Sequence, residues 1–152
     1  MAKAKDAALR LLAARARSRG ELERRLGRSG FDEDVVAAAL DRLAEAGLVD
    51  DAAFAVAYAE SRAARGADAR VIVTELHDRG VAPDVAGRAT EAAVPAEEQS
   101  ERCRQVAVAR LARLEGLAPE VQFRRLAGYL ERRGYPAAVI SAVLSDLIPR
   151  RD

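Results

Sequence analysis

The sequence predicts an all-α protein, arranged as an elongated array of three tandem three-helix repeats with about nine helices. Two observations on composition and one on internal repetition support this fold class. Half of the 152 residues are hydrophobic, but only 4% are aromatic and none is Trp, so Ala, Leu and Val must form the core. Alanine and leucine at this density favour helices. The valine run at residues 71–73 lies among Glu and Arg at helical spacing and does not indicate a strand.

The internal repetition is a glycine and one large apolar residue, placed between two apolar-periodic stretches. It occurs three times, at Gly30-Phe31, Gly80-Val81 and Gly134-Tyr135. A period of this length is typical of stacked modules, which expose a long surface rather than enclosing one pocket. The predicted repeats span residues 1–49, 50–95 and 96–152.

The first repeat is expected to form helices over residues 5–15, 18–29 and 32–46. Ser18 begins the second helix, because Glu21 three residues later completes a capping-box pattern. Gly30 ends this helix, since glycine adopts the left-handed conformation that a helix stop requires. Asp32 is predicted to cap the third helix.

The second repeat is expected to form helices over residues 50–65, 68–79 and 83–93. Asp50 or Asp51 opens the first of these helices. Asp68 stands fifty residues after Ser18 and is the predicted N-cap of the next one. Pro83 suits the first turn of the last helix, where its missing N–H costs nothing.

The third repeat is expected to form helices over residues 97–114, 119–133 and 136–148. Val94-Pro95 breaks the preceding pattern, so residues 96–100 are predicted to be a flexible joint. The second helix begins early, near Pro119, which leaves Gln122 at the position equivalent to the caps of the other repeats.

Charge is distributed unevenly along the chain, although the net charge is only +1. Residues 1–30 carry nine basic and three acidic side chains, residues 31–100 carry six and fifteen, and residues 101–152 carry ten and six. Basic ends around an acidic middle indicate a partner surface that changes sign along its length, or two partners. Solvated helix faces are the alternative.

No constellation of residues predicts catalysis, a cofactor site or a metal site. His77 and Cys103 are the only residues of their kinds, so they cannot form a cluster of metal ligands. We expect His77 on the surface, Cys103 in the core, and the pair Asp50-Asp51 as helix caps rather than cation ligands. No glycine-rich phosphate loop follows a strand.

The location predicted from the sequence is the cytoplasm. A single cysteine excludes an intrachain disulfide and suits a reducing compartment. The N-terminus is charged and lacks the apolar core of a signal peptide, and no apolar run approaches the ~20 residues of a membrane helix. We expect the protein to be a monomer.

Arginine stripes are the remaining functional signal, because the forked guanidinium matches phosphate or carboxylate groups. Phe54 and Tyr58 are predicted to pack in the core, with two arginines further along the same stripe of their helix. The candidate partner- or DNA-binding residues are Arg24, Arg25, Arg28, Arg62, Arg65, Arg102, Arg110, Arg113, Arg124, Arg125, Arg132 and Arg133. The alternative is a solvent face with salt bridges to Glu21, Glu23 and Glu131.

Several motifs occur in a fixed order through nearly the whole chain. They are Ser18-Arg19-Gly20-Glu21-Leu22 with Leu26 and Gly30-Phe31, then Gly47-Leu48-Val49-Asp50-Asp51 with Phe54-Ala55, Tyr58, Ser61-Arg62 and Arg65-Gly66, then Ile72, Glu75-Leu76 and Arg79-Gly80-Val81, and finally Leu126, Tyr129-Leu130 and Arg132-Arg133-Gly134-Tyr135. In these motifs and their spacing the chain resembles the RecX-family regulatory proteins, modulators of the RecA recombinase.

The resemblance implies an elongated protein of three three-helix repeats that binds RecA and lodges in the groove of the RecA–DNA filament. It also implies that the protein lowers the ATPase, strand-exchange and coprotease activities of RecA. One departure is visible: Gly66-Ala67-Asp68-Ala69 stands where family members often carry Gly-Tyr-Gly followed by Pro or a similar residue. The departure affects any contact made through this turn.

Two other functions stay open at the level of the sequence. Three-helix units resemble helix-turn-helix folds, so a freestanding protein that binds single- or double-stranded DNA is the main alternative, although the acidic middle repels phosphate. An inert repeat scaffold for another partner is the third possibility.

Overall fold

Nine α-helices and one short 3₁₀ turn form the regular structure of residues 1–149, the part of the chain that the computed structural model describes. The helices are α1 (Ala2–Ala14), α2 (Arg19–Arg28), α3 (Glu33–Glu45), α4 (Asp51–Ala64), α5 (Ala69–Asp78), α6 (Pro83–Ala93), α7 (Ala96–Leu111), α8 (Pro119–Arg132) and α9 (Ala137–Leu147), and the 3₁₀ turn is Ala112–Leu114. The predicted all-α class is confirmed. The end of the predicted third repeat, residues 150–152, lies outside the described residues.

The helices pack in three consecutive groups, each around its own hydrophobic core. Extensive helix–helix packing occurs among α1–α3, among α4–α6 and among α7–α9. The second helix of each group supplies two apolar side chains one turn apart, which are fully buried or nearly so. These are Leu22 and Leu26, Ile72 and Leu76, and Leu126 and Leu130. The array of three three-helix repeats predicted from the internal period is therefore confirmed.

The repeated glycines end the second helix of each repeat as predicted. Gly30, Gly80 and Gly134 have positive φ values of 92°, 80° and 96°. The N–H of the following residue returns to a carbonyl of the last turn, as in Val81 N to Leu76 O at 3.0 Å. This is the Schellman arrangement, in which the residue after the glycine turns inward.

Two of the predicted caps are made by side chains. Ser18 accepts a hydrogen bond from the Glu21 N–H at 3.1 Å, and Asp50 accepts one from the Ala53 N–H at 3.0 Å. The carboxylate of Glu21 turns away to Arg15, so the capping box is made in one direction only. These bonds satisfy backbone donors that the helix itself leaves free.

For two other predicted caps the position is confirmed, but the side chain makes no capping hydrogen bond. Asp32 and Asp68 stand at the N-cap positions of α3 and α5, but neither side chain accepts a capping hydrogen bond. The Asp68 carboxylate instead lies near Tyr135 of the third repeat.

The expected joint at residues 96–100 is wrong, because these residues form the first turns of α7. Pro95 sits directly before the helix, and Glu97 and Glu98 place negative charge at its positive end. Gln122 lies within α8, and its amide donates to the Leu114 carbonyl at 3.0 Å rather than capping the helix.

The junction between the first two repeats is a close contact of backbones. The Ser18 hydroxyl donates a hydrogen bond to the Arg79 carbonyl. A Cβ atom added at Gly20 would lie 2.8 Å from the Cα of Gly80, and the reverse substitution would place a Cβ 2.9 Å from the Cα of Gly20. The Arg19 N–H also donates to Asp51 at 2.8 Å. Only glycine fits at the point of contact.

The junction between the second and third repeats uses equivalent elements but looser contacts. Gly134, the counterpart of Gly80, rests on the start of α5, where an added Cβ would lie 3.4 Å from a methyl of Val71. Arg102 of α7 adds hydrogen bonds to the carbonyls of Ala63 and Ala67 at the end of α4, at 3.4 and 3.3 Å. In both junctions, the glycine end of one second helix packs on the start of the preceding one.

Cys103 and Tyr135 form a buried pair of weak acids near the second junction, and the prediction that Cys103 belongs to the core is confirmed. Burial and the nearby Asp68 carboxylate raise the pKa of the Cys103 thiol from 9.0 to about 11 and the pKa of the Tyr135 phenol from 10.0 to about 12. Both effects disfavour a negative charge inside the fold.

Gly20→Ala is expected to lower the free energy of unfolding by about 1–3 kcal/mol, because its Cβ meets backbone that cannot rotate away. Gly27→Ala is the matched control on the same helix, since its Cβ meets nothing within 4 Å. The control should raise the free energy of unfolding by about 0.5–1 kcal/mol. Urea denaturation followed by circular dichroism measures both. Equal effects of the two substitutions would contradict the close junction.

Stability is expected to fall as the pH rises through the range from 9 to 12. In this range the unfolded chain releases the Cys103 and Tyr135 protons, while the folded chain retains them until its raised pKa values of about 11 and 12. The unfolded state then binds fewer protons, so the free energy of unfolding decreases with pH. Urea denaturation at a series of pH values measures how steeply the free energy of unfolding falls with pH. Cys103→Ala and Tyr135→Phe should each make this fall shallower, and an unchanged slope would contradict the assignment.

Candidate partner-binding surfaces

Two of the twelve candidate arginines are bound inside the chain. The Arg62 guanidinium donates two hydrogen bonds of 2.8 Å to the Glu75 carboxylate. Glu75 also accepts a hydrogen bond from the Tyr58 hydroxyl. The Arg62 guanidinium holds the pKa of the Glu75 carboxyl below its ordinary value. Arg102 is held at the second junction by the end of α4 and by Glu98 at 2.7 Å. The sequence could not show these partners, since most of them lie on other helices.

The stripe on α4 is otherwise as predicted. Phe54 and Tyr58 are partly buried against the core of the second repeat, with ring centroids 6.0 Å apart. The guanidinium of Arg79, the residue directly after α5, lies 4.7 Å from the centroid of the Tyr58 ring. Arg65 is exposed at the end of α4, and within residues 1–149 its guanidinium forms no hydrogen bond or ion pair.

The third repeat carries a surface on which every charged side chain is an arginine and Tyr129 supplies the one aromatic ring, and we call it the Tyr129 surface. Two adjoining grooves of about 350 and 250 Å³ share Arg110 and Tyr129. The arginines that line them are Arg110, Arg113, Arg124, Arg125, Arg132 and Arg133. No acidic side chain lines either groove.

The Tyr129 ring positions two of these arginines. The guanidinium of Arg110 lies 4.4 Å from the ring centroid and that of Arg133 lies 5.8 Å from it. Such cation–π contacts hold a guanidinium without neutralising its charge. Within the described residues, no arginine of this surface forms an ion pair, so the alternative of a face salt-bridged to Glu131 is wrong here.

A second basic groove of about 410 Å³ lies where the first two repeats meet, and we call it the junction groove. Its arginines are Arg15, Arg17, Arg24, Arg25, Arg28 and Arg79. Its acidic residues are Glu21, Glu75 and Asp78. The sequence predicted the three arginines of α2 but not the other three, because only the packing of α5 against α2 brings Arg79 to the same groove as Arg15 and Arg17.

The three α2 arginines of the junction groove keep their charges free. Glu21 binds Arg15 at 2.6 Å, and Glu23 binds Arg19 at 3.0 Å. These are the acids that the salt-bridged alternative assigned to α2, and they are bound to other arginines. The free guanidinium groups are those of Arg24, Arg25 and Arg28.

The structure brings together no group of metal ligands within residues 1–149. His77 is exposed, as predicted, and Cys103 is buried. Asp50 caps α4 and Asp51 accepts the Arg19 N–H, so both members of the acidic pair are bound by backbone donors. Within the same range, no helix has the length and apolar character needed to cross a membrane.

Two family models match the chain, one at each end. The model described as "RecX, first three-helix domain" matches residues 4–43, and "RecX, third three-helix domain" matches residues 97–144. These matches coincide with α1–α3 and with α7–α9. Their three-helix descriptions agree with the architecture of the structure.

Curated relatives are similar along nearly the whole chain. Regulatory protein RecX of Thermobifida fusca (strain YX) is 42% identical over 139 residues, which cover 91% of this chain and 75% of the relative. Regulatory protein RecX of Mycobacterium avium (strain 104) is 43% identical over 148 residues, covering 95% and 84%.

A solved structure shares the fold. The crystal structure of RecX from Lactobacillus salivarius matches with a TM-score of 0.82 at 20% identity, and the match covers 96% of this chain and 95% of that one. The family models together span more than half of the chain. The alignments with the two relatives cover most of this chain and most of each relative. The chain therefore belongs to the RecX family of regulatory proteins.

Proposed function

We propose that the chain is a non-enzymatic regulator that binds the RecA recombinase, occupies the groove of the RecA–DNA filament, and lowers ATPase, strand-exchange and coprotease activity. Membership of the RecX family supports the regulatory role. The observation that carries the proposal is the Tyr129 surface, on which arginines without ion pairs surround one aromatic ring. A surface of this kind binds an anionic partner.

The mechanism is differential binding. A ligand that spans neighbouring filament subunits stabilises the arrangement that it fits best, and it shifts the filament by no more than its difference in affinity between arrangements. A tenfold preference corresponds to about 1.4 kcal/mol. If the preferred arrangement hydrolyses ATP slowly, activity falls although the ligand performs no chemistry.

The Tyr129 surface contributes contacts to the filament or to its DNA. Guanidinium groups bind phosphate oxygens through paired hydrogen bonds, and an aromatic ring among them offers a face to an unstacked base. The grooves beside Tyr129 are open and carry no carboxylate that would repel phosphate. The freestanding DNA-binding alternative predicts tight binding without RecA that weakens steeply with salt.

We place the protein in the cytoplasm, where RecA filaments form, and expect it to act as a monomer. The repeats already supply a long surface, so pairing of two copies would add nothing to a groove ligand. Sedimentation of the free protein tests the monomer.

Reversal of four charges on the Tyr129 surface is expected to weaken inhibition of RecA at least tenfold. The variant combines Arg124→Glu, Arg125→Glu, Arg132→Glu and Arg133→Glu, all at exposed positions. The measurement is the ATPase rate of RecA on single-stranded DNA as a function of the concentration of the variant.

The control for this prediction has the same change in net charge at exposed arginines elsewhere. It combines Arg10→Glu, Arg42→Glu, Arg88→Glu and Arg104→Glu. The control should inhibit nearly as well as the unmodified chain. Unchanged inhibition by the Tyr129-surface variant would remove this surface from the proposal, and no inhibition by the unmodified chain would refute the proposed function.

A further inference from the structure

We propose that the junction groove is a docking site for an acidic peptide segment of a partner protein, with the carboxylates of the peptide bound by the arginines of α2. This inference goes beyond the proposed function, because it assigns a class of ligand to a second surface. It follows from the charges of the groove itself and does not require the partner to be RecA.

The basic wall of the groove has free binding capacity. Arg24, Arg25 and Arg28 are exposed, and within the described part of the chain their guanidinium groups form no hydrogen bond or ion pair. Arg24 and Arg28 are four residues apart on one helix, so they lie on the same face with their Cβ atoms about 6 Å apart. Their forked donors match carboxylate groups, and such charge-assisted hydrogen bonds are roughly twice as strong as neutral ones.

Two of the three acids in the groove do not compete for these arginines. One carboxylate oxygen of Glu21 lies 2.6 Å from Arg15, and the other lies 3.9 Å from Arg79. Glu75 accepts hydrogen bonds from Arg62 and from the Tyr58 hydroxyl. Internal partners therefore neutralise both carboxylates, and the α2 arginines remain available to a ligand.

The opposite wall favours a peptide over a nucleic acid. Asp78 is exposed on this wall, and its carboxylate forms no ion pair or hydrogen bond with the described residues. It would repel a phosphodiester backbone, in which every unit carries a negative charge. A peptide can present Asp or Glu to α2 and an amide or a basic side chain to Asp78. No aromatic ring lines the junction groove to stack a base, in contrast to the Tyr129 surface.

The junction fixes the two walls relative to each other. The Ser18 hydroxyl donates to the carbonyl of Arg79, and Gly20 lies against Gly80, the residue after Arg79. An added Cβ at Gly80 would lie 3.3 Å from a guanidinium nitrogen of Arg24, so the basic wall also packs close to this contact. Because the groove is formed before the ligand arrives, less ordering opposes binding.

The test is a titration of the ¹⁵N-labelled full chain with a blocked hexaglutamate peptide at low ionic strength, followed by nuclear magnetic resonance. A parallel titration uses hexathymidylate. The peptide is expected to shift the amide signals of α2 and Asp78, and hexathymidylate those of Gly128 and Tyr129.

Two triple variants, checked for folding by circular dichroism, separate the surfaces. Arg24→Glu, Arg25→Glu and Arg28→Glu together should weaken peptide binding at least tenfold. Arg124→Glu, Arg125→Glu and Arg132→Glu together should change it less than twofold and should weaken the binding of hexathymidylate instead.

Three results would overturn the inference. They are no binding of the peptide, peptide binding that the α2 variant retains, and hexathymidylate shifting the α2 signals as strongly as the peptide does. The RecA ATPase assay is independent of this test. Inhibition of RecA without peptide binding would refute only the docking site, and peptide binding without inhibition would refute only the proposed function.

Discussion

The contact between Gly20 and Gly80 is the constraint on which the arrangement of the first two repeats depends. Each repeat has its own core, so the few contacts at the junctions fix one core relative to the next. At the first junction two backbones meet where any Cβ would clash, and the Ser18 hydroxyl ties the start of α2 to the end of α5. At the second junction Gly134 takes the equivalent position, and Arg102 donates hydrogen bonds to carbonyls of the second repeat.

The first junction also forms the junction groove, whereas the Tyr129 surface needs no junction. Packing of α5 on α2 brings Arg79 and Asp78 opposite the free arginines of α2. The Tyr129 surface lies wholly within the third repeat and contains no carboxylate. We propose that these two basic surfaces, one beside carboxylates and one without them, make two distinct kinds of contact with partners.

The sequence predicted the helices well, because glycine stops, proline starts and the spacing of apolar residues are local signals. It could not predict which arginines remain free. Arg62 is bound by Glu75 thirteen residues away, and Arg102 is bound by carbonyls of the preceding repeat. Asp68 was predicted to cap α5, but its carboxylate lies near Tyr135 of another repeat and accepts no capping hydrogen bond. The sequence shows Tyr129 only as part of a motif. Its contact with Arg110 depends on how α7 packs against α8.

The measurement that tests the central role of the first junction most directly is the distance between its two repeats in solution. Spin labels at Ser29→Cys and Glu91→Cys, both exposed, report this distance by double electron–electron resonance in a Cys103→Ala background. A fixed junction predicts a single narrow distribution of distances. A broad or bimodal distribution would show that the repeats move independently, and it would contradict the account.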